Sequence, residues 1–375
     1  MTALNTFFEG DMEKIRAAIV GTGFAAEIHA RALSELGYKV AAVVGSNLSR
    51  TSAFAEKWKI ERYGVDFELA LQEDIDCVHI CTPPALHYVM AKRAMESGKH
   101  VICEKPLCLD TAEAEKLLTL SKEKGLVAAV NFNVRFNGKC HEARKLVAAS
   151  EFGGVCLIHG AYLQEFQALP DRYSWRYKPE LAGHMRAVTE IGSHWIDLAR
   201  YLTGLEVTEV SADFGAFTPQ RYLSGDDMYL EYREGSERIT VNSEDAAAIL
   251  LKFDSGAIGN VILSEVSHGR GNRLEIEVTG RNESVWWDSE SPCELNRSRK
   301  SGGVLTSSDA FCGGFVDTFK DCFREVYADI ERGGPSVKPS YPTFEDGYRN
   351  TAVCSAIYES AVKGRWMEVE GNSQS

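Results

Sequence analysis

The stretch AAIVGTGFAAEIHARAL, residues 17–33, decides the reading of this chain. Small and branched apolar residues run straight into Gly21-x-Gly23-x-x-Ala26, and apolar residues at helical spacing follow. That order spells strand, tight turn, helix. Gly21 suits the turn, Gly23 lets the backbone approach a pyrophosphate, and Ala26 is small enough for helix–strand packing. The helix opens at Phe24 and Ala25, where free N–H groups and the positive dipole end would face phosphate. A Gly-x-Gly-x-x-Ala on its own is a weak signal. Its weight here comes from what surrounds it.

Outward from that stretch, strand and helix alternate. Residues 15–20, 40–44, 77–81, 101–103 and 127–130 read as strands. Residues 24–36, 48–58, 67–71, 86–96 and 111–124 read as helices, with Gly98 and Gly125 closing the last two. Serial βαβ units imply a parallel, doubly wound sheet with helices on both faces, and runs such as CVHIC suit strands buried on both sides. The second strand ends VVGSNLSR, with no acid to accept from the ribose hydroxyls of NAD. Ser46, Asn47 and Arg50 stand there instead, which tilts the expectation toward a 2′-phosphate and leaves the cofactor as NAD(P).

The pattern changes after about residue 150. Two β runs in AAAILLKFDSGAIGNVILSEVSH turn at Asp254-Ser255-Gly256, and RLEIEVTGRNESVWW turns at residues 280–282. An α+β domain with a large, open, mostly antiparallel sheet is therefore expected, and residues 343–363 return to helix. The expected division is a dinucleotide-binding domain over 14–134, a substrate and oligomerisation domain over 135–340, and a helical segment over 341–369 packing back on the body.

Composition bounds the function. The chain has 375 residues, 44% hydrophobic and 25% charged, as in a soluble globular protein. A net charge of -13 argues against nucleic acid and acidic membranes. The start, MTALNTFFEGDMEK, lacks the basic and apolar regions of a signal peptide, and no apolar run approaches about 18 residues. A cytoplasmic enzyme is expected. The 10 cysteines include no Cys-x-x-Cys and read as buried, reduced thiols, with no metal site.

Two motifs carry chemistry. In HVICEKPLCLD, residues 100–110, a strand runs out at Glu104 and Lys105. Ligands of doubly wound sheets bind outside the carboxyl ends of strands. Pro106 biases Lys105 toward an extended backbone, from which its side chain can reach a substrate oxygen. In AVTEIGSHWIDLARYLTG, Glu190, His194 and Asp197 fall at i, i+4 and i+7, one helical face beside an apolar stripe of Ile191, Trp195, Leu198 and Leu202. A histidine can take a hydroxyl proton as hydride leaves, and a carboxylate one turn away can orient it. An ordinary solvated pair on an amphipathic helix is the plain alternative.

Gly-x-Gly-x-x-Ala, CTPPALH and EKP together resemble the glucose–fructose oxidoreductase / inositol dehydrogenase / MocA family, over residues 15–369. The C-terminal PTFEDGYRNTAVCSAIYESAVKGRW is similar to that family's final segment. The resemblance implies a Rossmann domain followed by an open-faced α/β domain, and homodimers or homotetramers. It implies that Lys105 takes part in catalysis, and that Thr82, Pro83, His87 and Glu104 line the cofactor. The family's usual Asp-x-x-x-His-x-x-Asp matches at His194, as acid/base, and at Asp197, while Glu190 stands where aspartate is usual. That leaves Glu190 open between orienting His194 and reading substrate. Arg135 in NFNVRF resembles the family's arginine, and Val134 replaces a commoner tyrosine. In PDRYSWRYKPELAGHMR, Trp175 is placed to stack on a sugar face and Arg176 to donate to hydroxyls; Trp175 packed in the core is the alternative.

The leading expectation is an NAD(P)-dependent dehydrogenase acting on a hydroxyl of a sugar, glycoside or cyclitol. One alternative is a glycoside-cleaving or lyase-type enzyme that recycles bound NAD through a transient keto-sugar. Another is a non-catalytic dinucleotide sensor.

Overall fold

The computed structural model describes residues 15–371. Its first layer is β1 (Arg16–Val20), α1 (Phe24–Leu36), β2 (Lys39–Val44), α2 (Leu48–Trp58), β3 (Arg62–Gly64), β4 (Cys77–Ile80), α3 (His87–Glu96), β5 (His100–Cys103), α4 (Thr111–Lys124) and β6 (Ala128–Val130). All six strands are parallel, in the order β3-β2-β1-β4-β5-β6. The chain reverses direction of travel across the sheet between β1 and β4, which opens a crevice at their carboxyl ends. Ala17, Ala18, Ile19, Val78, Ile80, Val101 and Ile102 have no exposed surface, because helices cover both faces. α2 and α4 begin where side chains accept their first N–H groups: Asn47 from Arg50 and Asp110 from Glu113.

The second half runs α5 (Gly138–Ala148), β7 (Val155–Leu163), β8 (Asp171–Arg172), α6 (Pro179–Ala182), α7 (Ser193–Thr203) and β9 (Val207–Gly215). It continues through β10 (Gln220–Ser224), β11 (Asp227–Tyr229), β12 (Glu237–Thr240), β13 (Ala246–Phe253), β14 (Ile258–Ser264), β15 (Arg273–Gly280), β16 (Glu283–Asp288), β17 (Glu294–Arg299) and β18 (Val304–Ser308). It closes with α8 (Phe315–Glu331), α9 (Phe344–Lys363) and β19 (Met367–Glu368). Nine strands form one sheet in the order β18-β17-β16-β15-β7-β14-β13-β9-β19, antiparallel except where β7 meets β14. Both expected hairpins are present, β13–β14 and β15–β16.

Strict alternation along β13 and β14 buries Ala247, Ile249, Leu251, Val261 and Leu263 under the helices and leaves Leu250, Ile258 and Ile262 on an open face. Trp195 of α7 is wholly buried and donates its indole N–H to the Glu275 carbonyl at 3.0 Å. It lies flat there because β7 has Gly160 beneath it; a Cβ at that position would stand 2.0 Å from the Glu275 oxygen. A small second sheet, β12-β10-β11-β8, extends from one end.

The last two helices return to the first layer. α8 packs on α1, and α9 spans from α4 and β6 to β9. Val130 donates to the Pro342 carbonyl at 3.0 Å, which ties the entry of α9 to the edge of the parallel sheet. Thr343 and Asp346 then form a reciprocal cap on α9.

The cysteine reading needs correcting. Cys293 and Cys312 form a disulfide, and Cys156 is an exposed thiol. The bond forms because the segment after β18 folds back on the turn before β17, where the Asp309 N–H donates to the Cys293 carbonyl at 3.0 Å. Cys77, Cys103, Cys108, Cys140, Cys322 and Cys354 are buried thiols, as expected. Among the described residues no helix is long and apolar enough to cross a membrane. The MTALNTFFEGDMEK segment lies outside the described residues.

Candidate active site

The cradle at the end of β1 has the shape its glycines require. Gly21 adopts φ +121°, and a Cβ there would stand 2.4 Å from the Cys81 carbonyl oxygen, so β1 and β4 can splay only around a glycine. At Gly23, the N-cap of α1, a Cβ would meet nothing within 4 Å, and no side chain caps the helix. The first N–H groups of α1, at Phe24 and Ala25, thus face open space, which fits a dinucleotide's pyrophosphate. Phe24 is exposed and stacks at 6.3 Å on Phe315 of α8. At the end of β2, Ser46 and Arg50 are exposed, while Asn47 spends its side-chain oxygen on the α2 cap.

Across the crevice, His87 is fully buried and sits 2.8 Å from both the Thr82 and the Pro106 carbonyls. It staples the TPP turn after β4 to the EKP turn after β5. Glu104 and Lys105 leave β5 in opposite directions. Glu104 turns inward to His29 Nε2 at 2.9 Å and Asn131 Nδ2 at 2.6 Å. Burial alone would raise its carboxyl; the His29 hydrogen bond, the nearby Lys105 and the Asn131 hydrogen bond outweigh that and hold it below the usual carboxylate range. Lys105 reaches over to the second half, where Nζ donates to the Glu190 carbonyl at 2.9 Å and lies 3.9 Å from its carboxylate.

Glu190 and His194 do not share an uninterrupted α-helix. Residues Val188–Gly192 form one π-helical turn that runs into α7, a local widening common at functional sites. The Glu190 carboxylate turns to Arg176 Nε at 3.0 Å rather than hydrogen-bonding His194. Burial would raise Glu190, but Lys105 and then Arg176 overcome it and bring it to about 2. Burial first, and then the Lys105 charge, push His194 down to about 3, while Glu104 and Glu190 pull the other way. His194 Nδ1 is buried without a hydrogen-bond partner among the described residues. The rings of Phe132 and Tyr162 stand 6.0 and 6.5 Å from it. A neutral imidazole, a lysine and a carboxylate therefore converge beside the cradle.

A family model described as "Oxidoreductase family, NAD-binding Rossmann fold" matches residues 15–132, and the "GFO/IDH/MocA C-terminal domain" model matches residues 140–285. Levoglucosan dehydrogenase from Pseudarthrobacter phenanthrenivorans is 30% identical, across 96% of this chain and 99% of its own. The chain belongs to the Gfo/Idh/MocA family of oxidoreductases. The scyllo-inositol 2-dehydrogenase (NAD(+)) of Bacillus subtilis is 29% identical over 84% of this chain and 83% of its own. A solved structure of levoglucosan dehydrogenase with NADH and L-sorbose superposes with a TM-score of 0.87 at 28% identity, covering 96% of this chain and 99% of that one. The Gfo/Idh/MocA oxidoreductase described here thus has an NAD-binding Rossmann domain and a mostly antiparallel second sheet.

Two residues expected at the substrate form a buried ion-pair cluster. Arg135 and Asp197 are buried and pair with each other through both guanidinium and carboxylate ends, with Asp346 of α9 as a third member. Asp197 follows His194 by three residues in α7 and is held by the Arg135 guanidinium. Trp175 is half-buried with the Arg176 guanidinium over its ring at 4.6 Å. Sequence reasoning passed over His29, Asn131, Phe132 and Tyr162. His29 and Asn131 lay inside quoted motifs, but nothing local marks them as partners of Glu104; α1 and the end of β6 bring them there.

Proposed function

We propose that this protein is an NAD(P)-dependent dehydrogenase that oxidises a secondary hydroxyl of a sugar, glycoside or cyclitol. The observation that carries the reading is the convergence of Lys105, from a strand end of one sheet, with Glu190 and His194, from the helix of the other, beside the dinucleotide cradle. The named relatives act on levoglucosan and scyllo-inositol, polyhydroxylated rings of the same chemical class.

Bound NAD(P)+ supplies the hydride acceptor. As the substrate carbon loses hydride, its hydroxyl proton passes to the neutral imidazole of His194. Glu104 and Glu190 favour the imidazolium that forms. The Lys105 ammonium has three hydrogens and spends one on the Glu190 carbonyl. The others steady the substrate oxygen as its charge grows. Glu190 and Arg176 form the polar wall that reads neighbouring hydroxyls, with Trp175 as an apolar surface beside them. Gly21, Gly23, Phe24, Ala25, Thr82, Pro83 and His87 shape the cofactor crevice. Ser46 and Arg50 admit a 2′-phosphate, so NADP+ is accepted alongside NAD+. Arg135 and Asp197 are assigned to joining the layers instead of to substrate.

The open face bearing Leu250, Ile258 and Ile262 is the surface through which we expect dimers or tetramers to form. We also keep the division into 14–134, 135–340 and 341–369, with α8 and α9 serving both layers, and a cytoplasmic setting. The Cys293–Cys312 disulfide is the one feature that argues for an oxidising compartment.

Lys105→Ala and His194→Ala test the assignment. Each is expected to lower kcat about 10²–10⁴-fold while NAD(P)H binding, read by fluorescence, stays intact. Wild-type turnover in both variants on an oxidised substrate would remove the mechanism.

A further inference from the structure

Behind Glu104 lies a run of buried titratable groups that the proposed chemistry does not use. His29 of α1 and His79 of β4 have no exposed surface. Their Nδ1 atoms are 2.9 Å apart. His29 Nε2 is 2.9 Å from the Glu104 carboxylate, and His79 Nε2 is 2.9 Å from the Tyr327 hydroxyl of α8. Tyr327 is itself wholly buried. Four elements, α1, β4, β5 and α8, thus contribute to one chain that ends at the residue before Lys105.

With both rings neutral, the donors and acceptors admit one arrangement of the hydrogens. Glu104 is ionised and can only accept, so His29 Nε2 must carry hydrogen. A 2.9 Å contact between two ring nitrogens holds one hydrogen between them. Burial, and then His29, push His79 well below the usual histidine range, so its ring carries a single hydrogen. Placed on Nδ1, that hydrogen points to His29, and the bare His79 Nε2 accepts from Tyr327. Every bond then runs the same way: Tyr327 to His79, to His29, to Glu104. Asn131 Nδ2 and the Lys105 backbone N–H, at 2.6 and 3.3 Å, complete the shell of the carboxylate.

We propose that His29 and His79 are positioning residues for catalysis: their directed hydrogen-bond chain locks Glu104 as an oriented anion, and so sets the strand end that aims Lys105 and the field felt by His194. The outer end of the chain is closed, since Tyr327 has no exposed surface. It therefore holds a proton arrangement in place and offers no exit to solvent. The other groups facing Glu104 are neutral or fixed. Burial keeps the Cys81, Cys103 and Cys322 thiols protonated and lowers His87, which leaves Lys105 and His194 as the partners that respond to its charge.

The kinetic arm rests on the dehydrogenase reading; a spectroscopic arm does not. His29→Leu removes the donor to Glu104, His29→Gln keeps an amide N–H where Nε2 stood but cuts the link to His79, and His79→Phe removes the outer half while filling the ring's volume. Glu104 is held low by His29, so without that donor it protonates at higher pH. The acid limb of kcat/KM should therefore rise by about one pH unit or more in His29→Leu, with kcat down on the order of 10²-fold and cofactor affinity little changed. His29→Gln should restore most of both, and His79→Phe should fall between. An acid limb that stays or moves down, or variants that only lower Tm at unchanged kcat, would overturn the proposal.

Independently, ¹⁵N-histidine NMR of the wild-type holoenzyme should show a protected hydrogen on His29 Nε2 and one shared with His79, the second lost in His79→Phe. A bare His29 Nε2 would overturn it even if no substrate were turned over. Failure of turnover alone would count against the dehydrogenase reading and leave the NMR result to decide this one.

Discussion

Glu190 meets Lys105 with its carbonyl and Arg176 with its carboxylate, so a change of one methylene acts on two partners. Glu190→Asp should keep a negative charge but draw it back from Arg176. The expected outcome is a raised KM or an altered sugar preference with kcat less affected, since misplacement of about 1 Å can cost on the order of 10²-fold. Arg176→Ala should shift preference among sugars in the same sense. Steady-state kinetics of both variants over several sugars checks this, and an unchanged preference in both would return Glu190 to a supporting role. His194 makes a separate prediction in pH. Its folded value lies at about 3, below the ordinary 6.5. The unfolded chain binds the extra proton between those values, so this residue's contribution to stability is intact above 6.5 and is lost as pH falls toward 3. His194→Phe should therefore lose less Tm than wild type across that window, as thermal melts at several pH values would show.

At the scale of elements, the π turn and the buried Arg135–Asp197–Asp346 cluster explain why α7 was only half legible. The apolar stripe of Ile191, Trp195, Leu198 and Leu202 gave the helix its buried face, and all four are buried. The ionisable residues were read on an α-helical wheel, which cannot anticipate one wider turn at residues 188–192. Nor does any local signal say that Arg135, 62 residues before Asp197, will neutralise it. Asp197→Asn should lower stability, by up to about 3–5 kcal/mol, since it leaves the buried Arg135 with Asp346 alone as a charged partner, while leaving KM near wild type in whatever protein folds. A large rise in KM without loss of Tm would place Asp197 at the substrate after all. The parallel strands and their helices were legible almost residue by residue, because continuous apolar runs, caps and closing glycines are all local features. β3 and the strands β17 and β18 were not, because short or polar strands lack an apolar run.

For the whole molecule, the parallel sheet and the nine-stranded sheet are held by helices from the chain's end, with α8 on α1 and α9 across both. The packing of the two layers therefore depends on residues beyond 315, far in sequence from the cradle. The open face of the large sheet carries Leu250, Ile258 and Ile262 in adjacent strands. Light scattering at micromolar concentration should give a dimer or tetramer, and charged substitution at Ile258 and Leu250 together should lower the mass; a monomer in wild type would contradict it. The most direct test of the central claim is a panel of sugars, glycosides and cyclitols read at once by nicotinamide absorbance and product chromatography. The account predicts one equivalent of reduced cofactor per equivalent of keto product on at least one polyhydroxylated ring. Release of an aglycone without accumulation of reduced cofactor, or no turnover across the panel with cofactor bound, would contradict it.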